Sequence, residues 1–205
     1  MRKLFLSSSF KDVASSLIDF VKEDIKGKTV TFIPTASINE KVKFYVGSAR
    51  KAFEKMGVIV DELELTKATS EDILKRLKQN DYIYVSGGNT FFLLQELKRS
   101  GADKIIIDEI NSGKLYIGES AGAMVVSPDI EYVKDMDNRK IASNLDAFAA
   151  LNIIDFYPVP HYTNFPFVKA VEKILTKYES KLNLYPINNS QIILVENDEI
   201  QVVSK

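Results

Sequence analysis

Along this chain, from the amino terminus to about residue 126, two hydrophobic periods take turns. Short apolar runs of strand length, Leu4–Ser7, Thr29–Ile33, Val58–Leu63, Tyr82–Ser86 and Tyr116–Gly118, are separated by stretches near 12–26, 41–56, 70–79 and 90–112 where apolar residues return every three or four positions. The runs suit strands buried on both faces, and the longer stretches suit helices with one apolar face. Strand and helix in alternation predict an α/β fold: a doubly wound, mostly parallel sheet with helices on both faces. Beyond residue 127 the pattern loosens into a polar stretch, Asp129 to Asn144, read as a flap over the carboxyl edge of the sheet. A strand at Ile153–Tyr157 and a helix at Asn164–Lys181 follow. Short strands near Asn183–Ile187, Gln191–Val195 and Glu199–Val203 then predict an antiparallel edge. No repeat or linker-like break divides residues 1–205, which read as a single domain.

Composition narrows the function without naming it. With 45% hydrophobic and 27% charged residues, the chain is ordinary for a soluble globular protein. A net charge of −1 and the lack of a basic stripe disfavour nucleic acid or an anionic membrane as partner. Arg2 and Lys3 before a short apolar run loosely mimic a secretion signal, but the run is too short and leads into Lys11-Asp12. No stretch reaches the ~18 apolar residues that span a bilayer. The absence of cysteine removes disulfides, thiolate metal sites and a cysteine nucleophile. These features fit a cytoplasmic protein that needs no metal or other cofactor, as a monomer or homodimer.

In an open parallel sheet, chemistry is sought where strands end at their carboxyl side. The run Leu115–Val126 contains Gly118-Glu119-Ser120-Ala121-Gly122, a serine flanked by glycines between a strand and a helix. This is the layout of a nucleophile elbow, with the following backbone amides placed to meet an oxyanion. The alternative is a glycine-lined turn that packs helix on sheet. A second exit, Ser86-Gly87-Gly88-Asn89-Thr90, offers paired glycines for close backbone approach and Asn89 or Thr90 as a helix cap. On its own it reads as a capped strand-to-helix turn. A third, Pro158-Val159-Pro160-His161-Tyr162, carries the single histidine of the chain, which could serve as the base for Ser120. The acid that would orient it is open among Asp135, Asp137, Asp155, Glu196 and Asp198, with Asp135 favoured by its place in the flap. Glu119 is expected to point away from the nucleophile, packing below it or binding a backbone amide.

Together these residues resemble the peptidase E and cyanophycinase family of serine peptidases, from Ile83 to about Val203. The likeness rests on Gly87-Gly88-Asn89-Thr90-Phe91, on Tyr116-Ile117-Gly118-Glu119-Ser120-Ala121-Gly122-Ala123, on Asp135-Met136, on Leu145–Phe148 and on Pro160-His161-Tyr162-Thr163-Asn164. It implies a fold similar to class I glutamine amidotransferases (flavodoxin-like), in which a cysteine occupies the elbow. It also implies Ser120 as nucleophile, His161 as general base, and the amides of Gly88 and Ala121 as the oxyanion hole. Asn89, Thr90, Arg139 and Tyr162 are candidate contacts for a short peptide substrate.

Two departures from the family pattern stand out. Where the family carries Pro-Glu-Gly, this chain reads Asn188-Asn189-Ser190, so Asn189 would replace the glutamate that orients the histidine. An arginine-bearing segment that binds a substrate aspartate is replaced by Phe165-Pro166-Phe167. The expectation is a Ser-His dyad, assisted by Asp135, acting on short peptides without strict Asp-X preference. An α/β-hydrolase esterase and a peptide-binding pseudo-peptidase are the alternatives.

Overall fold

A computed structural model describes residues 2–205. The first half follows the predicted alternation: β1 (Lys3–Ser7), α1 (Phe10–Val13), α2 (Ser15–Val21), β2 (Thr29–Ile33), α3 (Phe44–Lys55), β3 (Ile59–Glu62), α4 (Ser70–Gln79) and β4 (Tyr82–Val85). Next come α5 (Thr90–Ser100), α6 (Ala102–Asn111), β5 (Leu115–Glu119) and α7 (Ala121–Met124). The remainder is β6 (Tyr157–Val159), α8 (Val168–Tyr178), β7 (Leu184–Pro186), β8 (Gln191–Glu196) and β9 (Glu199–Ser204). The main sheet runs β3-β2-β4-β5-β1-β8-β9, its first five strands parallel and its last two antiparallel.

Alternate residues of each central strand feed two cores, which is why the strands read as unbroken apolar runs. Phe5, Val30, Phe32, Tyr82, Tyr84, Leu115 and Ile117 face α1, α2 and α3 through Phe10, Leu17 and Phe53. Leu4, Leu6, Ile33, Ile83, Val85 and Tyr116 face α4 to α8 through Leu77, Leu93, Ile106, Ala123 and Val171. Adjacent strands β1 and β5 therefore send their following helices, α1 and α7, to opposite faces. That divergence opens a crevice at the carboxyl ends of these two strands.

Several details differ from the sequence reading. The helix expected over 12–26 is two short helices that end where Lys22 turns left-handed, and the helix expected over 90–112 breaks at left-handed Gly101. A 3.6-residue period passes through one such residue without a visible interruption. The strand expected at Ile153–Tyr157 is mostly a buried loop; Leu151 and Ile153 donate amide hydrogens to the carbonyls of Val125 and Val126. Only Tyr157–Val159 is strand, and it pairs in parallel with β7 in a separate two-stranded sheet. His161 therefore does not leave a strand of the main sheet, and of the three short terminal strands only β8 and β9 make the antiparallel edge. The flap contains two 3-10 turns, Glu131–Asp135 and Arg139–Ile141.

Candidate active site

Ser120 follows β5 directly, with φ 50° and ψ −105°, a conformation uncommon for a residue bearing a Cβ. The Ser120 amide donates to the Ser7 carbonyl at 2.8 Å, anchoring the elbow to the exit of β1. A turn this sharp needs small neighbours: a Cβ on Gly122 would lie 2.2 Å from the Val85 carbonyl oxygen. The four-residue α7 then begins at Ala121, whose amide, like all at a helix start, has no acceptor within its helix.

The β4 exit closes the other side. Gly88 has φ +135°, and a Cβ there would sit 2.2 Å from the Ala36 carbonyl oxygen, which accepts the Asn89 amide hydrogen at 2.9 Å. A Cβ on Gly87 would approach Ser120 Cβ at 3.2 Å and its Oγ at 3.7 Å, so this turn lies against the nucleophile. Asn89 and Thr90, expected to touch substrate, are committed to the fold. Asn89 Oδ1 accepts the Phe92 amide hydrogen at 2.9 Å and its Nδ2 donates to the Asn138 carbonyl at 3.1 Å, while Thr90 is fully buried. The amide of Thr90 donates to Asp137 at 2.7 Å, and burial holds that carboxyl up at about 6.

His161 Nε2 lies 2.8 Å from Ser120 Oγ, and Asn189 Oδ1 lies 3.3 Å from His161 Nδ1. His161 has φ 66°; its amide donates to Ser8 Oγ at 3.0 Å, and that hydroxyl donates to the Ile187 carbonyl at 2.9 Å. Phe167 stacks on the ring at 4.4 Å between centroids. Asn189 is steadied by Asn164, whose Oδ1 accepts the Asn189 amide hydrogen at 2.9 Å. Burial with no charged partner pushes the imidazole down to about 4, the Asn189 contact opposing weakly.

Asp135, expected to assist the histidine, does not face it. It pairs with Lys177 of α8 at 3.6 Å on the protein surface. Arg139 is exposed with its guanidinium over the Phe148 ring, and Tyr162 is exposed beside the histidine. Glu119 is buried beneath the elbow, where Oε1 accepts the Phe10 amide hydrogen at 2.8 Å and Oε2 accepts from the Tyr84 hydroxyl. Ser8 and Tyr45, whose ring edge lies against Gly87, escaped the sequence reading, and Phe167, noted there only for the missing substrate-binding segment, was not expected to stack on the histidine. The Ser7-Ser8-Ser9 run at the β1 exit was the signal available for Ser8; Tyr45 carries none. Among the described residues no group of three or more His, Cys, Asp or Glu is gathered to hold a metal ion, and no helix is long and apolar enough to cross a membrane.

Comparison with known proteins identifies the family. The sequence model of peptidase family S51 matches residues 4–203. An uncharacterized peptidase of Pasteurella multocida is 56% identical over 198 residues, covering 97% of this chain and 95% of that protein. Peptidase E of a Nostoc species is 30% identical over 169 residues, covering 80% of this chain and 66% of that protein. The 1.5 Å crystal structure of a Listeria monocytogenes protein provisionally named a peptidase E superposes with a TM-score of 0.96 at 50% identity, covering 100% of this chain and 99% of that one. These matches leave no room for the α/β-hydrolase reading of the elbow: the chain belongs to peptidase family S51, the family of peptidase E, and is a peptidase.

Proposed function

We propose that this peptidase hydrolyses short peptides through an acyl-enzyme on Ser120, with His161 as the general base. The observation that carries the reading is the 2.8 Å contact between Ser120 Oγ and His161 Nε2, made at a strained elbow. A neutral imidazole that accepts the serine proton at Nε2 carries its own proton on Nδ1, and Asn189 Oδ1 is the acceptor there. With its proton affinity lowered to about 4, His161 is already a free base at neutral pH.

Attack forms a bond from Ser120 Oγ to the scissile carbonyl carbon while the hydroxyl proton moves to His161 Nε2. The amides of Gly88 and Ala121 meet the oxyanion. Collapse breaks the C–N bond, and the imidazolium returns its proton to the leaving amine. A water molecule, deprotonated by the same nitrogen, then hydrolyses the ester and restores Ser120. Asn189 orients the ring but cannot offset the imidazolium charge as a carboxylate would, which makes this a dyad with a neutral helper.

Substrate contacts belong to the rim. Tyr162 stands beside His161, and Arg139 lies on the flap whose Asn138 carbonyl is tied to Asn89 beside the Gly88 turn. Phe165, 92% exposed, and Phe167 occupy the segment after Asn164 where an aspartate-binding arginine would be needed. Strict Asp-X specificity is therefore not expected. A dipeptide library should show turnover with several first residues. Ser120→Ala, verified as folded, should abolish turnover, and a fluorophosphonate should label Ser120 in the wild type. Full turnover by Ser120→Ala on every peptide the parent cleaves would overturn the reading.

A further inference from the structure

Glu119 has no part in these steps, although it immediately precedes the nucleophile and is only 2% exposed. Its carboxyl joins three segments that must stay in register around Ser120. From β5 it reaches the start of α1 through the Phe10 amide, at 2.8 Å, and reaches β4 through the Tyr84 hydroxyl. The Gly87 amide, next to the Gly88 turn, also favours its ionised form. These anchors are themselves rigid. The Phe10 ring stacks on Phe53 at 4.5 Å and packs on Tyr84 at 5.4 Å, and Tyr84 stacks on Phe32 at 4.6 Å.

We propose that Glu119 is a positioning residue of the oxyanion hole, whose ionised carboxylate ties the start of α1 after the β1 exit and strand β4, which leads into the Gly88 turn, around Ser120, and whose protonation loosens that grip and switches the site off. The inference rests on the serine-peptidase reading above. An ionised carboxylate only accepts, and amide or hydroxyl bonds to it are roughly twice as strong as neutral ones. Protonation converts one oxygen from acceptor to donor, so it no longer fits a ring of N–H and O–H donors.

Several groups facing the carboxyl make this change reachable near neutral pH. Tyr84 comes from β4, the Phe10 amide and the Asp12 carboxylate from α1, the Gly87 amide from the β4 exit and the Tyr45 phenol from α3. Burial outweighs the donors and pushes Glu119 up to about 7, well above His161. The hydroxyl of Tyr45 is buried without a hydrogen-bond partner among the described residues, so it does not hold the charge in place.

The test is the pH dependence of kcat and kcat/KM on a cleaved dipeptide. The wild type should lose activity by about tenfold per pH unit below a midpoint near 7, in kcat as well as kcat/KM, because the effect is on transition-state stabilisation. Glu119→Gln is neutral at every pH and bears an N–H donor where the protonated acid bears an O–H. It should show no limb near 7 and stay at the switched-off rate even at pH 8, where a wild-type rate would overturn the proposal. Tyr84→Phe, which deletes one donor to the carboxylate, should move the limb to higher pH, and it carries the test if Glu119→Gln does not fold. A wild type whose Ser120-dependent turnover is flat through pH 7, or a folded Glu119→Gln that keeps the limb, overturns this role and leaves the serine mechanism standing. Loss of the serine mechanism shows separately, as turnover in Ser120→Ala.

Discussion

Asn189→Asp places a carboxylate where a neutral amide now stands 3.3 Å from His161 Nδ1. Two unit charges about 4 Å apart attract by ~4 kcal/mol at an effective dielectric near 20. Residue 189 is only half-buried, so water takes part of that energy, and part is spent on desolvating the new carboxylate. Opposite charges at such range typically move a pKa by about 1–3 units. Starting from about 4, His161 should then titrate at roughly 5–7. The same attraction stabilises the imidazolium that forms as Ser120 attacks, and realising ~1.4–2.8 kcal/mol of it would raise kcat/KM at pH 8 by about 10–100-fold. His161 is the only histidine, so its ring resonance in proton NMR is unambiguous and gives the titration directly. A midpoint that does not move in the folded variant would mean that residue 189 does not face Nδ1, and the orienting role of Asn189 would fall.

Other expectations follow from the same contacts. Gly88→Ala forces a Cβ to 2.2 Å from the Ala36 carbonyl oxygen at φ +135°. A loss of at least ~3 kcal/mol is expected, which for a domain of this size is about 6–12 °C in Tm by calorimetry. Asp135→Asn breaks only a surface pair with Lys177, so kcat/KM should stay within about twofold of wild type; a larger fall would return Asp135 to the site. His161 and Glu119 should tilt stability in opposite directions with pH. His161, lowered from 6.5 to about 4, contributes stability above 6.5 that is lost as pH falls toward 4. Glu119, raised from 4.5 to about 7, contributes stability below 4.5 that is lost as pH rises through 7. Urea midpoints should therefore show Glu119→Gln gaining on the wild type as pH rises from 4.5 to 7, and His161→Gln gaining as pH falls from 6.5 to 4.

The sheet was legible because its central strands are buried on both faces, and because Gly118, Ser120 and Gly122 form a local pattern that only a tight strand-to-helix turn uses well. The surroundings of His161 were legible only in part. The run Ile153–Tyr157 has the apolarity of a strand but satisfies its backbone on the loop after α7, and apolarity alone cannot distinguish these outcomes. Asp135 is near Ser120 in sequence, but a side chain on a 3-10 turn points where that turn is packed, and Lys177 from α8 supplies its partner. Ser8 acts through a long-range contact between separate loops, and Phe167 folds back on His161 within one irregular segment; neither leaves a periodic trace in the residues around it.

The order of proton affinities around Ser120 is the reverse of what free side chains would show. An exposed histidine holds its proton more tightly than an exposed glutamate; here burial lowers the imidazole to about 4 and raises the carboxyl to about 7. Between those values both groups are neutral, so the fold buries no net charge beneath the elbow over that range. Catalysis asks for something different. The imidazole is ready throughout, but the donors gathered on Glu119 from Phe10, Tyr84 and Gly87 are arranged for an anion. A charge buried there costs folding stability, and the amides that partly offset it belong to the segments that shape the oxyanion hole. Stability and activity would thus peak on opposite sides of neutrality, because the same carboxyl that relaxes when protonated holds the site in shape when ionised.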